Sequence, residues 1–78
     1  MDVGVRLQSI RKLKGLSQRE LAKRAGVTNS TISMIEKNSV SPSISSLKKV
    51  LAGIPMSLVE FFSVVFEEHG AAQIVYKA

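Results

Sequence analysis

Apolar residues recur along this chain at helical spacing, and small or capping residues interrupt them at intervals. Val3, Leu7 and Ile10 lie three or four positions apart, as one face of a helix requires, and Lys14 ends that stripe. Leu21 and Ala25 form a second such face, Ile32 and Ile35 a third, and Ile44, Leu47, Val50 and Leu51 a fourth. A last helical stretch carries Leu58, Phe61 and Phe62. The spacing predicts helices over 3–14, 18–25, 29–37, 44–52 and 58–63.

The polar positions agree with that division. Gly15, Gly26 and Gly53 each follow a helical pattern, where a residue able to adopt positive φ stops a helix. Ser17, Thr28 and Ser57 come shortly after and are good N-caps, and the fourth helix begins near Pro42-Ser43. Ser17 with Glu20 and Ser57 with Glu60 read as capping boxes. Leu16 with Leu21, Val27 with Ile32 and Met56 with Phe61 read as hydrophobic staples. Several independent local signals select the same starts.

After Phe62 the pattern changes. Val64, Val65 and Phe66 form an apolar run, Glu67 to Gly70 reads as a turn or linker, and Gln73 to Tyr76 as a strand. A lone strand needs a pairing partner, from another chain or from further polypeptide. The expected division is a helical domain over 1–63 and a linker with a short extended tail over 64–78.

With 78 residues, the chain supports one compact all-α domain near the size where a core becomes marginal. A hydrophobic share of 45% argues against disorder. The absence of cysteine removes disulfides and thiolate metal sites. No stretch approaches the roughly 20 apolar residues of a membrane span, and no signal peptide is visible, so the expected location is the cytoplasm.

Charge changes the picture more. Residues 1–49 carry ten Lys/Arg against Asp2, Glu20 and Glu36, a net of +7. Residues 50–78 carry Lys77 against Glu60, Glu67 and Glu68, a net of −2. This asymmetry favours a polyanionic partner on the first part of the chain, with a merely solubilising surface as the alternative. Catalysis has little to work with. His69 is the single histidine, the serines sit at caps without a general base, and no glycine-rich phosphate loop follows a strand. No enzyme activity, metal or cofactor is expected.

Residues 18–37, QRELAKRAGVTNSTISMIEK, carry the functional signal. Two short helices crossing near a right angle need a small residue at the crossing, which Ala22 supplies. They need a turn residue tolerant of positive φ, which Gly26 supplies. Leu21, Ala25, Val27, Ile32 and Ile35 then face a shared core. This is the spacing of a helix-turn-helix.

The chain resembles the Cro/C1 (phage-repressor-like) helix-turn-helix family over roughly residues 4–62, from VRLQSIRKLKGLSQRELAKRAGV through TISMIEKNSVSPSISSLKKVL to MSLVEFF. The resemblance implies a five-helix, lambda-repressor-like domain with its third helix in the major groove. It also implies a homodimer on a near-palindromic double-stranded DNA operator. FFS followed by AAQIVYKA looks like the junction into a C-terminal cupin barrel, as in cupin-containing repressors of putrescine utilisation. An effector would then bind that further domain.

With Ile32 and Ile35 inward, about 100° per residue turns Ser30, Ser33, Met34 and Lys37 outward. Thr28 and Asn29 project from the end of the third helix nearest base edges. Asn29 suits adenine, the serines suit several bases, and Met34 suits a thymine methyl. The alternative is a purely capping Thr28 with the others solvated. No Arg stands on this face, so no guanine fork is expected from it. Gln18, at the first position of the second helix, is placed to hold a phosphate with the free backbone N–H groups, a use the resemblance supports. Asn38, Ser41 and Ser43 lie where similar proteins touch the opposite backbone, and Arg19 and Lys37 add positive charge. Arg11 and Glu36 each follow a core residue, and the resemblance implies a partly buried ion pair between them. Two other classes compete: a protein-interaction module that kept the fold without DNA binding, and a basic first helix lying on an anionic membrane.

Overall fold

A computed structural model describes residues 2–63, which form five α-helices: α1 (Val3–Leu13), α2 (Gln18–Ala25), α3 (Asn29–Glu36), α4 (Ile44–Ala52) and α5 (Leu58–Ser63). The expected strand at 73–76, the linker at 67–70 and the apolar run at 64–66 lie outside the described residues. The helices fall where the hydrophobic pattern puts them, with α1 and α3 one residue shorter at their C-terminal ends.

Those ends share one hydrogen-bond pattern. The Leu16 N–H donates to the Arg11 carbonyl and the Gly15 N–H to that of Lys12, with Gly15 at φ +72°. Val27 and Gly26 do the same to Ala22 and Lys23, with Gly26 at φ +73°. Ser39 and Asn38 repeat it on Met34 and Ile35, with Asn38 at φ +62°. In each case a left-handed residue lets the chain reverse while satisfying the last carbonyls. Gly53 departs from the expectation, because its φ is −75° and no left-handed turn is made there. Its missing side chain serves packing instead. A Cβ at Gly53 would stand 3.0 Å from the Ala25 backbone nitrogen and 3.2 Å from the Ala25 Cβ, so α4 closes against the end of α2.

Every helix start carries a side-chain cap. Asp2, Ser17, Thr28 and Ser43 accept from the backbone N–H three residues on. Ser57 and Glu60 form both halves of a capping box, at 3.1 and 2.9 Å. At Ser17 the Glu20 N–H is capped at 3.0 Å, but the Glu20 carboxylate faces Arg24 at 3.6 Å rather than closing a second half.

The core joins all five helices through Leu7, Ile10, Leu21, Ile32, Leu51 and Phe61, each almost wholly buried. Val27 and Met56 pack against it from the turns. Ile44, expected on the core face of the fourth helix, is 62% exposed. It is the first residue of α4, before the helix has closed a turn onto the core, and Leu47, Val50 and Leu51 alone make the buried face.

Candidate nucleic-acid interface

The α2–α3 crossing is held by small and branched residues, with Ala22, Ile32 and Ile35 buried in one core cluster and Ala25 buried beside Gly53. Gly26 and Val27 form the turn, and Thr28 caps α3. With its inner face in the core, α3 leaves Asn29, Ser30 and Met34 exposed and Ser33 half-buried. Thr28 is exposed too, but its hydroxyl oxygen accepts from the Thr31 N–H at 3.1 Å and lies 2.9 Å from the Thr31 hydroxyl. The cap therefore occupies the Thr28 hydroxyl in the free protein.

At the start of α2, Ser17 caps the Glu20 N–H and its carbonyl takes the Leu21 N–H. Helix geometry leaves the Gln18 and Arg19 N–H groups without an intrahelical acceptor, so the positive end of α2 opens to solvent. Arg19, Lys37, Ser41 and Ser43 are exposed. The Ser43 hydroxyl accepts from the Ser46 N–H and contacts the Ser46 hydroxyl at 3.0 Å, so it is a cap first.

Arg11 and Glu36 are each only 7% exposed. The Arg11 Nε donates to Glu36 Oε2 at 2.7 Å, Nη2 to Oε1 at 3.0 Å, and Nη1 to the Leu16 carbonyl at 2.7 Å. One guanidinium thus ties α1 to the end of α3 and to the α1–α2 turn. Gln18 Nε2 donates to the same Glu36 Oε1 at 3.0 Å, which brings the start of α2 into the network.

Asn38, exposed in the turn after α3, makes bonds that its sequence position did not suggest. Its Nδ2 donates to Asp2 Oδ1 at 2.8 Å, and its Oδ1 accepts from the Gly4 N–H at 3.3 Å. Both ends of the amide join α1 to the turn after α3, so this exposed side chain holds an intramolecular link in the free protein. Asp2 Oδ1 also accepts from the Val5 N–H at 3.0 Å. That bond, then the one from Asn38, hold the Asp2 carboxyl below its ordinary pKa. Asp2 and Gly4 were not singled out by sequence reasoning, although an Asp just before an apolar helical stripe is itself an N-cap signal.

The electrostatics are one-sided. Each of the four described acids has an internal partner: Asp2 the Val5 N–H and Asn38, Glu20 Arg24, Glu36 Arg11 and Gln18, and Glu60 the Ser57 N–H. Among the described residues no carboxylate stands in ion-pair range of Arg19, Lys23 or Lys37. Nor do the described residues contain a cluster of His, Cys, Asp and Glu able to hold a metal, or a helix long and apolar enough to cross a membrane.

A helix-turn-helix family model matches residues 7–61. Over 60 residues the chain is 53% identical to the HTH-type transcriptional regulator PuuR of Escherichia coli, covering 77% of this chain and 32% of PuuR. Over 57 residues it is 46% identical to the HTH-type transcriptional regulator SinR of Bacillus subtilis, covering 72% of this chain and 51% of SinR. The chain thus spans about a third to a half of the length of these curated relatives. Its structure superposes on the restriction-modification controller protein C.Esp1396I with a TM-score of 0.74 at 36% identity, covering 78% of each chain. These relatives are regulators of transcription and not enzymes. With the model match, the identities and the superposition in agreement, the chain belongs to the Cro/C1-type (XRE) family of DNA-binding helix-turn-helix transcriptional regulators.

Proposed function

We propose that this domain reads a near-palindromic DNA operator, with the N-terminal turn of α3 in the major groove. The carrying observation is the uncharged outer face of α3, with Asn29, Ser30 and Met34 exposed and Ser33 half-buried, on a helix joined to the start of α2 through Gln18 and Glu36. Asn29 has the donor and acceptor of an adenine reader, and Met34, 41% exposed, offers a thioether surface to a thymine methyl. Thr28, committed to its cap, contributes its methyl or a bond made when the cap rearranges. Gln18 and Arg19 hold a phosphate at the start of α2, while Lys37, Ser41 and Ser43 approach the backbone from the far side. With no guanidinium on the reading face, no guanine fork comes from α3, and Asn29 and Met34 favour A·T pairs at the positions they read.

Dimerisation completes this reading. Val59, 76% exposed, and Phe62, 41% exposed, present apolar surface on α5. Phe62 also borders a groove of about 450 Å³ with Val3, Val40 and Ile44. A two-fold contact through residues beyond about 57 would cover it and set two copies of α3 roughly 34 Å apart. The finer role is repression of metabolic genes, those of polyamine use included, with an effector held by a C-terminal cupin domain. It is supported by the identity to PuuR over the helix-turn-helix region.

The membrane alternative is weakened, because Leu7 and Ile10 of α1 are buried in the core and only Val5 and Leu13 of its apolar residues are exposed. Selection of bound duplexes from a random pool tests the proposal. A palindromic A·T-bearing consensus is the expected outcome, and recovery of no consensus sinks it.

A further inference from the structure

We infer that Glu36 is a positioning residue for DNA binding, fixing the side-chain amide of Gln18 so that it meets a phosphate ready-oriented. The inference rests on the phosphate-holding role proposed above for Gln18.

Glu36 Oε1 lies 3.0 Å from the Gln18 amide nitrogen. A primary amide beside a carboxylate has one acceptable orientation, since turning its oxygen inward would set acceptor against acceptor. One Nε2–H is therefore consumed by Glu36, and the other remains to donate outward. The carboxylate cannot swing away with Gln18, because Arg11 holds both of its oxygens, at 2.7 and 3.0 Å, and is itself anchored on the Leu16 carbonyl. Both charged residues are buried, which shields their ion pair from solvent. Gln18 is half-buried, with the unpaired N–H groups of the α2 N-terminus beside it. The chain Arg11–Glu36–Gln18 thus connects a buried ion pair to a surface donor. A donor held in its bound geometry loses less side-chain freedom on binding than a mobile one.

A double-mutant cycle separates this from a purely structural ion pair. Gln18→Ala is made in the wild-type chain and in an Arg11→Met/Glu36→Met chain, whose apolar pair fills the buried site without a stranded charge. Affinity for one selected duplex is measured in all four proteins, each checked for helicity. In the wild-type background the loss of one oriented hydrogen bond predicts about tenfold weaker binding. In the Met/Met background the same substitution predicts less than about twofold, because the amide there is already free to rotate. Equal losses in both backgrounds overturn the inference while leaving the phosphate contact standing. No loss in wild type removes the phosphate contact and the inference with it.

If the Met/Met chain does not fold, nuclear magnetic resonance on the wild-type protein decides. The two Gln18 Nε2 protons should be well separated in shift and motionally restricted before DNA is added. Averaged shifts and the fast motion of a solvated amide overturn the proposal.

Discussion

Gln18 opens α2 and Glu36 closes α3, and a 3.0 Å hydrogen bond joins the two side chains across the helix-turn-helix. Because Glu36 is also the bidentate partner of Arg11, the relative setting of α1, α2 and α3 depends on one buried carboxylate. Glu36→Ala strands the Arg11 guanidinium and Arg11→Ala strands the carboxylate, so each should cost about 3–5 kcal/mol. That is a large part of the roughly 5–15 kcal/mol that holds a domain of this kind together. Urea unfolding monitored by circular dichroism gives the number. A loss under about 1 kcal/mol for both variants would show that the pair contributes as little as an exposed one.

Two glycines should resist replacement by alanine for different reasons. Gly4→Ala ought to stabilise a helix by propensity, yet a Cβ there would collide with the Ile35 carbonyl and stand 2.8 Å from that of Glu36. Backbone atoms cannot move aside cheaply, so destabilisation by about 1–3 kcal/mol is expected. Gly15→Ala has open space around it, and its cost of about 1 kcal/mol comes from φ +72° alone. Thermal unfolding of both variants checks this. A stabilised Gly4→Ala protein would contradict the close approach of α1 to the end of α3.

Asp2 makes the acid range informative. Its carboxyl is held below the ordinary value of 3.8 chiefly by the Val5 N–H and then by Asn38. A group with a depressed folded pKa contributes stability above its unfolded pKa and loses it as pH falls through the folded one. Asp2→Asn keeps a capping oxygen but no charge. The wild-type advantage over this variant should therefore be present at neutral pH and shrink as pH drops below about 4. A gap that is constant between neutral and acid pH would show that the charge makes no contribution.

The division between base readers and backbone holders has its own signature. Asn29→Ala and Ser33→Ala should change which base is preferred at one position, each by about 1–3 kcal/mol of discrimination, whereas Gln18→Ala should weaken all sites alike. Replacing one thymine of the selected site by uracil should weaken the wild-type protein but not Met34→Ala. Competition binding on single-base variants reads all four. Uniform losses for every protein would dissolve the division.

The exposed side chains of α5 predict assembly. Val59→Asp should weaken a homodimer without touching the core, since Val59 is among the most exposed apolar residues described. Sedimentation across a concentration series, with and without operator, is the measurement. A chain that remains monomeric and binds a palindrome as one copy rules out the two-fold arrangement.

Much of this architecture was legible in the sequence because local signals were redundant. At α2 a cap, a staple, a stop residue and an apolar face all selected the same boundaries, at α3 a cap and a staple selected the start, and periodicity alone placed Ile32 and Ile35 inward. Where a residue's role depends on what another helix brings to it, periodicity was silent. Gly53 reads as a helix stop, but its role is to admit Ala25. Ile44 fits an apolar spacing, yet as the first residue of α4 it points away from the core. Asn38 reads as a surface polar residue near DNA, and only the fold sets Asp2 and Gly4, 36 and 34 residues away in sequence, against its amide. The link from Gln18 to Glu36 has the same character, a contact made by the α2–α3 crossing and by nothing local.

The central claim, specific operator binding by α3 with phosphate contacts from the basic first 49 residues, is tested most directly by affinity against salt concentration on a selected duplex and a scrambled one. The account predicts that log affinity falls linearly with log salt on both, as displaced counterions require. It also predicts that the selected duplex binds tighter at every salt concentration, by about 1,000-fold or more once the dimer forms. Equal affinity for the two duplexes, or binding insensitive to salt, would contradict it.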